Sequence, residues 1–154
     1  MILPALPLLC LGLAPVPTEN AIGDPARELR GEWVVTSCEA FGKREELHLG
    51  DVFTFDGERL RHDGPGEGEP LEYVISLAAN AKPKRMDWRP AKPKDAPWSH
   101  RGIYKLDGGK LTICVIARFA KGDKKDRPTE FRTALRRQKR DAAGGVLLVL
   151  ERRE

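Results

Sequence analysis

The side chains in this 154-residue chain that could do acid–base, nucleophilic or metal-binding work are three histidines, three cysteines and scattered carboxylates. His48, His62 and His100 stand in different turns or strand ends, with no His-x-His, His-Glu-x-x-His or Cys/His spacing among them. That pattern assigns no metal ligand and no cofactor. A hydrolase or isomerase needs a base held by a partner and set close to the reacting group, and Asp87 with His100 is the pairing that would supply it. Glu45-Glu46 and the run Glu67, Glu69, Glu72 lie in or beside loops, and Gly64 to Gly68 lacks the spacing of a calcium loop or a phosphate cradle, so these read as solvated surface.

Cys38 and Cys114 have no histidine beside them in a nucleophile pattern. An oxidising compartment permits a disulfide between them, and two isolated, buried small hydrophobes are the alternative. Cys10 follows Leu9, whereas lipid attachment wants a small residue directly before the cysteine. That order argues against acylation and for a cysteine that leaves with a leader.

The net charge of +4 conceals an asymmetry. Residues 31–80 carry 11 acidic and 4 basic side chains, and residues 81–140 carry 19 basic and 6 acidic. Two faces of opposite sign follow if the halves of the fold stay apart. The basic group Lys121, Lys124, Lys125, Arg127, Arg136, Arg137, Lys139 and Arg140 would attract phosphates by charge alone, with salt-sensitive and sequence-independent affinity. Its partner would be an anionic envelope polymer or an acidic protein, and export argues against nucleic acid.

Residues 1–20 open with an almost wholly apolar stretch that turns polar at Thr18-Glu19-Asn20. The stretch is shorter than the roughly 20 apolar residues a spanning helix needs, and Pro4, Pro7 and Pro15 oppose a stable membrane span. It reads as an export signal, which places the mature protein in the periplasm or outside the cell.

The elements that must position these side chains are short strands. With 15 Gly and 12 Pro, the composition suits many strands joined by tight turns better than a helical bundle. After a linker at 21–28, with a helical turn over Pro25–Leu29 capped by Asp24, residues 29–154 form one domain. Strands are expected over 33–39, 52–55, 58–62, 71–77, 84–88, 101–106, 110–117, 128–134 and 146–151. Asp56-Gly57 and Asp107-Gly108-Gly109 fix two hairpins. In the first strand, simple alternation puts Trp33, Val35 and Ser37 on one face and Val34, Thr36 and Cys38 on the other. Eight or nine strands make an all-β, antiparallel barrel of about eight strands.

Gly31-Glu32-Trp33 at the first strand, with Arg152 and Arg153 behind the last, resembles the lipocalin arrangement, in which an indole plugs the closed end and an arginine packs across it. More closely, the chain resembles a family of uncharacterised lipocalin-like domains common in planctomycete bacteria. The matching segments are Leu29-Arg30-Gly31-Glu32-Trp33, Phe53-Thr54-Phe55-Asp56-Gly57, Lys82-Pro83-Lys84-Arg85-Met86-Asp87, Gly102 to Gly108 running into Leu111-Thr112-Ile113-Cys114, Arg127-Pro128-Thr129-Glu130-Phe131, and Glu151-Arg152. The resemblance implies a lipocalin-like barrel and export, and brings no established activity. Gly31, Trp33 and Arg152 are then structural. So is Asp87, which would tie its loop to the barrel through Arg85, Arg101 or Arg127. A small apolar or amphipathic ligand would enter at the end away from Trp33, against Trp88, Trp98 and Tyr104, with Arg101 or Arg127 as polar anchor. An interaction module docking through its basic face and an enzyme using Asp87 and His100 are the competing readings.

Overall fold

Gly and Pro punctuate much of this chain, and the β-branched and aromatic residues between them alternate. The computed structural model describes residues 23–66, 68–92, 98–119, 127–133 and 145–154. Among these, one helical turn, α1 (Pro25–Leu29), precedes nine strands: β1 (Gly31–Ala40), β2 (Lys43–Glu45), β3 (Val52–Asp56), β4 (Arg59–Asp63), β5 (Leu71–Ala78), β6 (Arg85–Pro90), β7 (Trp98–Asp107), β8 (Lys110–Phe119) and β9 (Gly145–Arg152). The strands pair antiparallel in the order β2-β1-β3-β4-β5-β6-β7-β8-β9, and β1 also pairs with β9. Eight strands therefore close into a barrel, and β2 is a short flap folded back on the end of β1. Closure removes the unpaired edges that an open sheet must protect. No described helix is long and apolar enough to cross a membrane.

Local chemistry explains the element ends. The Asp24 carboxylate accepts from the Ala26 N–H at 3.0 Å and Pro25 occupies the first turn, so α1 starts where the sequence places it. Gly57 (φ 62°), Gly108 (φ 53°) and Gly109 (φ 80°) adopt the left-handed backbone that the two hairpin turns require.

Two expectations are corrected. In β1, Trp33 and Val35 face the core, but a bulge between Val35 and Ser37 shifts the phase, so Cys38 rather than Ser37 joins them inside. Residues 128–133, read as a strand, form none. Residues 127–133 run as a strap over the outer wall instead, since Pro128 cannot donate to a ladder and the strap is held through side-chain hydrogen bonds. Ile103 and Cys114 face each other across β7 and β8 on the outer side of the wall, yet each is only 1% exposed. The strap covers them.

Inside the barrel, Trp33, Phe53, Phe55, Leu60, Tyr73, Ile75, Met86, Trp88, Tyr104, Leu111, Ile113, Val115, Leu148 and Leu150 join one buried cluster. These inward side chains pack against one another as the core of the barrel. Because neighbours in the barrel follow chain order, the acidic half of the sequence builds β1–β5 and the basic half builds β6–β8 and the strap. Residues 1–20 with Cys10, and Lys121, Lys124, Lys125, Arg136, Arg137, Lys139 and Arg140, lie outside the described residues.

Candidate functional site

The barrel end where β1 begins is sealed. The indole N–H of Trp33, which is fully buried, donates to the Leu29 carbonyl at 2.7 Å. The Arg152 guanidinium lies 4.4 Å from the indole ring, and its Nη1 and Nη2 donate to the carbonyls of Arg30 (2.6 Å) and Glu28 (2.8 Å). Gly31 has φ +119°, and a Cβ there would come within 3.1 Å of Arg152 Nη1. The Gly-x-Trp spacing is therefore a requirement of this plug. Arg153 pairs instead with Glu32, at 3.6 Å.

The side chains expected to gather around a ligand at the other end are distributed over two surfaces. Trp88 and Tyr104 face inward and are packed in the core. Asp87 and Arg101 are cross-strand neighbours on the outer face. Arg127 reaches them from the strap, donating through both terminal nitrogens to the Asp87 carboxylate (2.5 and 2.6 Å) and through Nη1 to the Gly102 carbonyl at 2.7 Å. Arg127 is thus Asp87's partner, and the pair clamps the strap to the wall. Trp98 opens β7 opposite Phe119, and its side chain lies outside the described residues.

The Asp87–His100 enzyme reading does not survive this placement. His100 pairs with Trp88 across β6 and β7, so it faces the interior while Asp87 faces out. Its ring stacks on Trp88 (5.1 Å, 24°) and meets Tyr73 edge-on at 5.7 Å. Burial, with a smaller contribution from His62, pushes the His100 imidazole down to about 4. Its Nδ1 is buried without a hydrogen-bond partner.

Cys38 and Cys114 are free thiols, each 1% exposed. Cys38 faces the core, whereas Cys114 lies under the strap and donates to the Arg132 carbonyl at 3.7 Å. They sit on opposite sides of the barrel wall, and no disulfide joins them. Burial raises both thiols, Cys114 to about 11.

A cluster that the sequence did not announce lies towards the end away from Trp33. Asp51, in the turn before β3, is 1% exposed. Its Oδ2 meets His48 Nδ1 at 2.9 Å and His62 Nε2 at 2.6 Å, and its Oδ1 has no partner. The Asp51 backbone is fixed by the Val35 N–H, which donates to its carbonyl at 2.9 Å, and the His62 ring stacks on Phe53 at 4.4 Å. The Asp56-Gly57 hairpin holds the signal that could have found this cluster. Counting back from the turn pairs Phe55 with Leu60 and Phe53 with His62, and Asp51 shares the inward parity of Phe53.

Two of the hollows among the described residues bear on a ligand site. One, of about 590 Å³, runs over β5, β6 and β7 beside Pro25, Ala26 and Glu58 and includes Asp87, Arg89 and Arg101. The other, of about 630 Å³, lies where the 79–84 turn meets β7 and the strap, lined by Ala79, Ala81, Pro83, Tyr104, Leu106 and Phe131 with Lys82, Lys84 and Lys105 around them. Lys84 Nζ sits 5.9 Å from the Tyr104 ring and Lys105 Nζ 5.1 Å from the Phe131 ring.

Comparison of the chain with protein-family models, with curated proteins and with solved structures gave no match.

Proposed function

We propose that this barrel is an exported binding module whose ligand is a small amphipathic anion, held in the hollow between the 79–84 turn and the strap. The observation that carries this reading is the combination of an apolar floor with three lysines, none of which pairs with a carboxylate among the described residues. Leu106, Phe131 and Pro83 offer contact to an alkyl or aromatic body, and Lys82, Lys84 and Lys105 offer a positive rim to its acidic head. This hollow lies towards the Trp33 end rather than at the expected mouth away from it, and of the expected contacts among the described residues it is lined by Tyr104. The ordered sequence motifs and the closed barrel support kinship with the exported lipocalin-like domains that the chain resembles, and the apolar leader supports a periplasmic or extracellular setting.

Calorimetric titration with decanoate and with decanol tests the reading. Decanoate is expected to bind one to one, decanol far more weakly, and the triple variant Lys82→Gln, Lys84→Gln, Lys105→Gln to lose roughly tenfold in affinity, as removal of three partly screened charges should. Equal binding of acid and alcohol, or an unchanged triple variant, would refute it.

A further inference from the structure

We propose that His48, Asp51 and His62 form a binding site for one divalent first-row transition-metal ion, with zinc the ion best suited to the donors. One atom from each residue, His48 Nδ1, His62 Nε2 and an Asp51 carboxylate oxygen, lies within 4.8 Å of the other two. Two imidazoles and one carboxylate are borderline donors that favour zinc and its neighbours in the first row over calcium or magnesium, which select all-oxygen shells. Three protein donors leave a coordination position for an exogenous ligand, the donor number of exchangeable sites rather than of closed structural ones.

The state of Asp51 points the same way. Its side chain is 2% exposed, and no lysine or arginine among the described residues pairs with it. Burying a carboxylate is costly unless its charge and lone pairs are met. Both histidines converge on Oδ2, leaving Oδ1 buried and unpartnered. A purely hydrogen-bonded cluster would satisfy that carboxylate better by using both oxygens, whereas a cation between the three groups supplies the missing positive charge where the donors converge. Ligands of a tetrahedral zinc ion stand about 3.3 Å apart, and the present separations of 2.6 and 2.9 Å reach that by small side-chain rotations. His48, with 32% of its side chain exposed, gives the ion a route from solvent. The hydrogen-bonded Asp51 backbone and the His62–Phe53 stack hold the donors on fixed elements.

This site lies towards the opposite end of the barrel from the lysine-rimmed hollow, so the two readings stand or fall separately. The test is a zinc titration of the full chain with a competing chelator, paired with cobalt(II) spectroscopy. The wild type is expected to bind one zinc per chain at about 1 μM or tighter, and cobalt to give the intense visible bands of a four-coordinate site. Asp51→Asn and His62→Gln should each weaken zinc by roughly a hundredfold. His48→Gln, in a partly exposed turn, should weaken it in a chain whose far-ultraviolet dichroism is unchanged, which covers the case in which the buried variants unfold. Absence of stoichiometric zinc at about 0.1 mM free ion, or wild-type affinity in a folded His48→Gln chain, would overturn the proposal.

Discussion

Arg152 lies across the indole of Trp33 at 4.4 Å while donating to the carbonyls of Glu28 and Arg30, so one side chain joins the last strand, the first strand and the helix that seals the barrel. Replacing it with Met keeps much of the apolar stem but removes the cation and both charge-assisted bonds. Arg152→Met should cost about 2 kcal/mol in urea unfolding, and Arg152→Lys should recover less than half of that, because an ammonium cannot supply the planar fork.

The Arg127–Asp87 clamp predicts thiol reactivity. With the strap in place, Cys114 is buried and its thiol is raised to about 11, so it should react negligibly with an aromatic disulfide reagent at pH 7. Arg127→Ala should free the strap and raise the labelling rate of Cys114 at least about tenfold, in line with the loss of roughly 1.4 kcal/mol or more of local stability. Cys38, in the barrel core, should stay protected. Equal labelling of both thiols would show that the variant had unfolded globally.

How much of this could be read from sequence differs by element. Asp56-Gly57 and Asp107-Gly108-Gly109 encode their turns in the residues themselves, and Gly31, Trp33 and Arg152 encode the plug, so the barrel and its sealed end were legible. The bulge after Val35 was not, because alternation assumes an unbroken phase. The strap was misread because Phe131 and Thr133 alternate like strand residues, although they pack on the outer wall. The ligand residues are expected together at one barrel end, but strand parity sends Trp88 inward and Arg101 outward. His48, Asp51 and His62 meet only through the register of the β3–β4 hairpin.

Acid should destabilise the fold through His100. Its folded pKa is lowered to about 4 by burial, with a smaller push from His62, against an ordinary value of 6.5. The folded state therefore binds fewer protons than the unfolded chain between those values, so stability is fully present above about pH 6.5 and is lost as pH falls towards 4, by up to about 3 kcal/mol. Urea unfolding at several pH values should show this slope, and His100→Phe, which keeps a ring against Trp88, should make it shallower.

Gly102 is the most crowded of the described glycines. A Cβ there would fall 2.6 Å from Val115 Cγ1 and 2.8 Å from the Cys114 carbonyl oxygen, which is backbone and cannot swing away. Gly102→Ala should cost about 2 kcal/mol in urea unfolding, as overpacking of a filled core does.

The central claim, that this barrel binds an amphipathic anion on its lysine-rimmed outer hollow, is tested most directly by backbone amide chemical-shift mapping during a decanoate titration. The account predicts saturable shifts concentrated at residues 79–84, 104–106 and 131, with those around Asp51 and His62 unmoved. Shifts centred on the end away from Trp33 and the inward face of Trp88, or none at all, would contradict it.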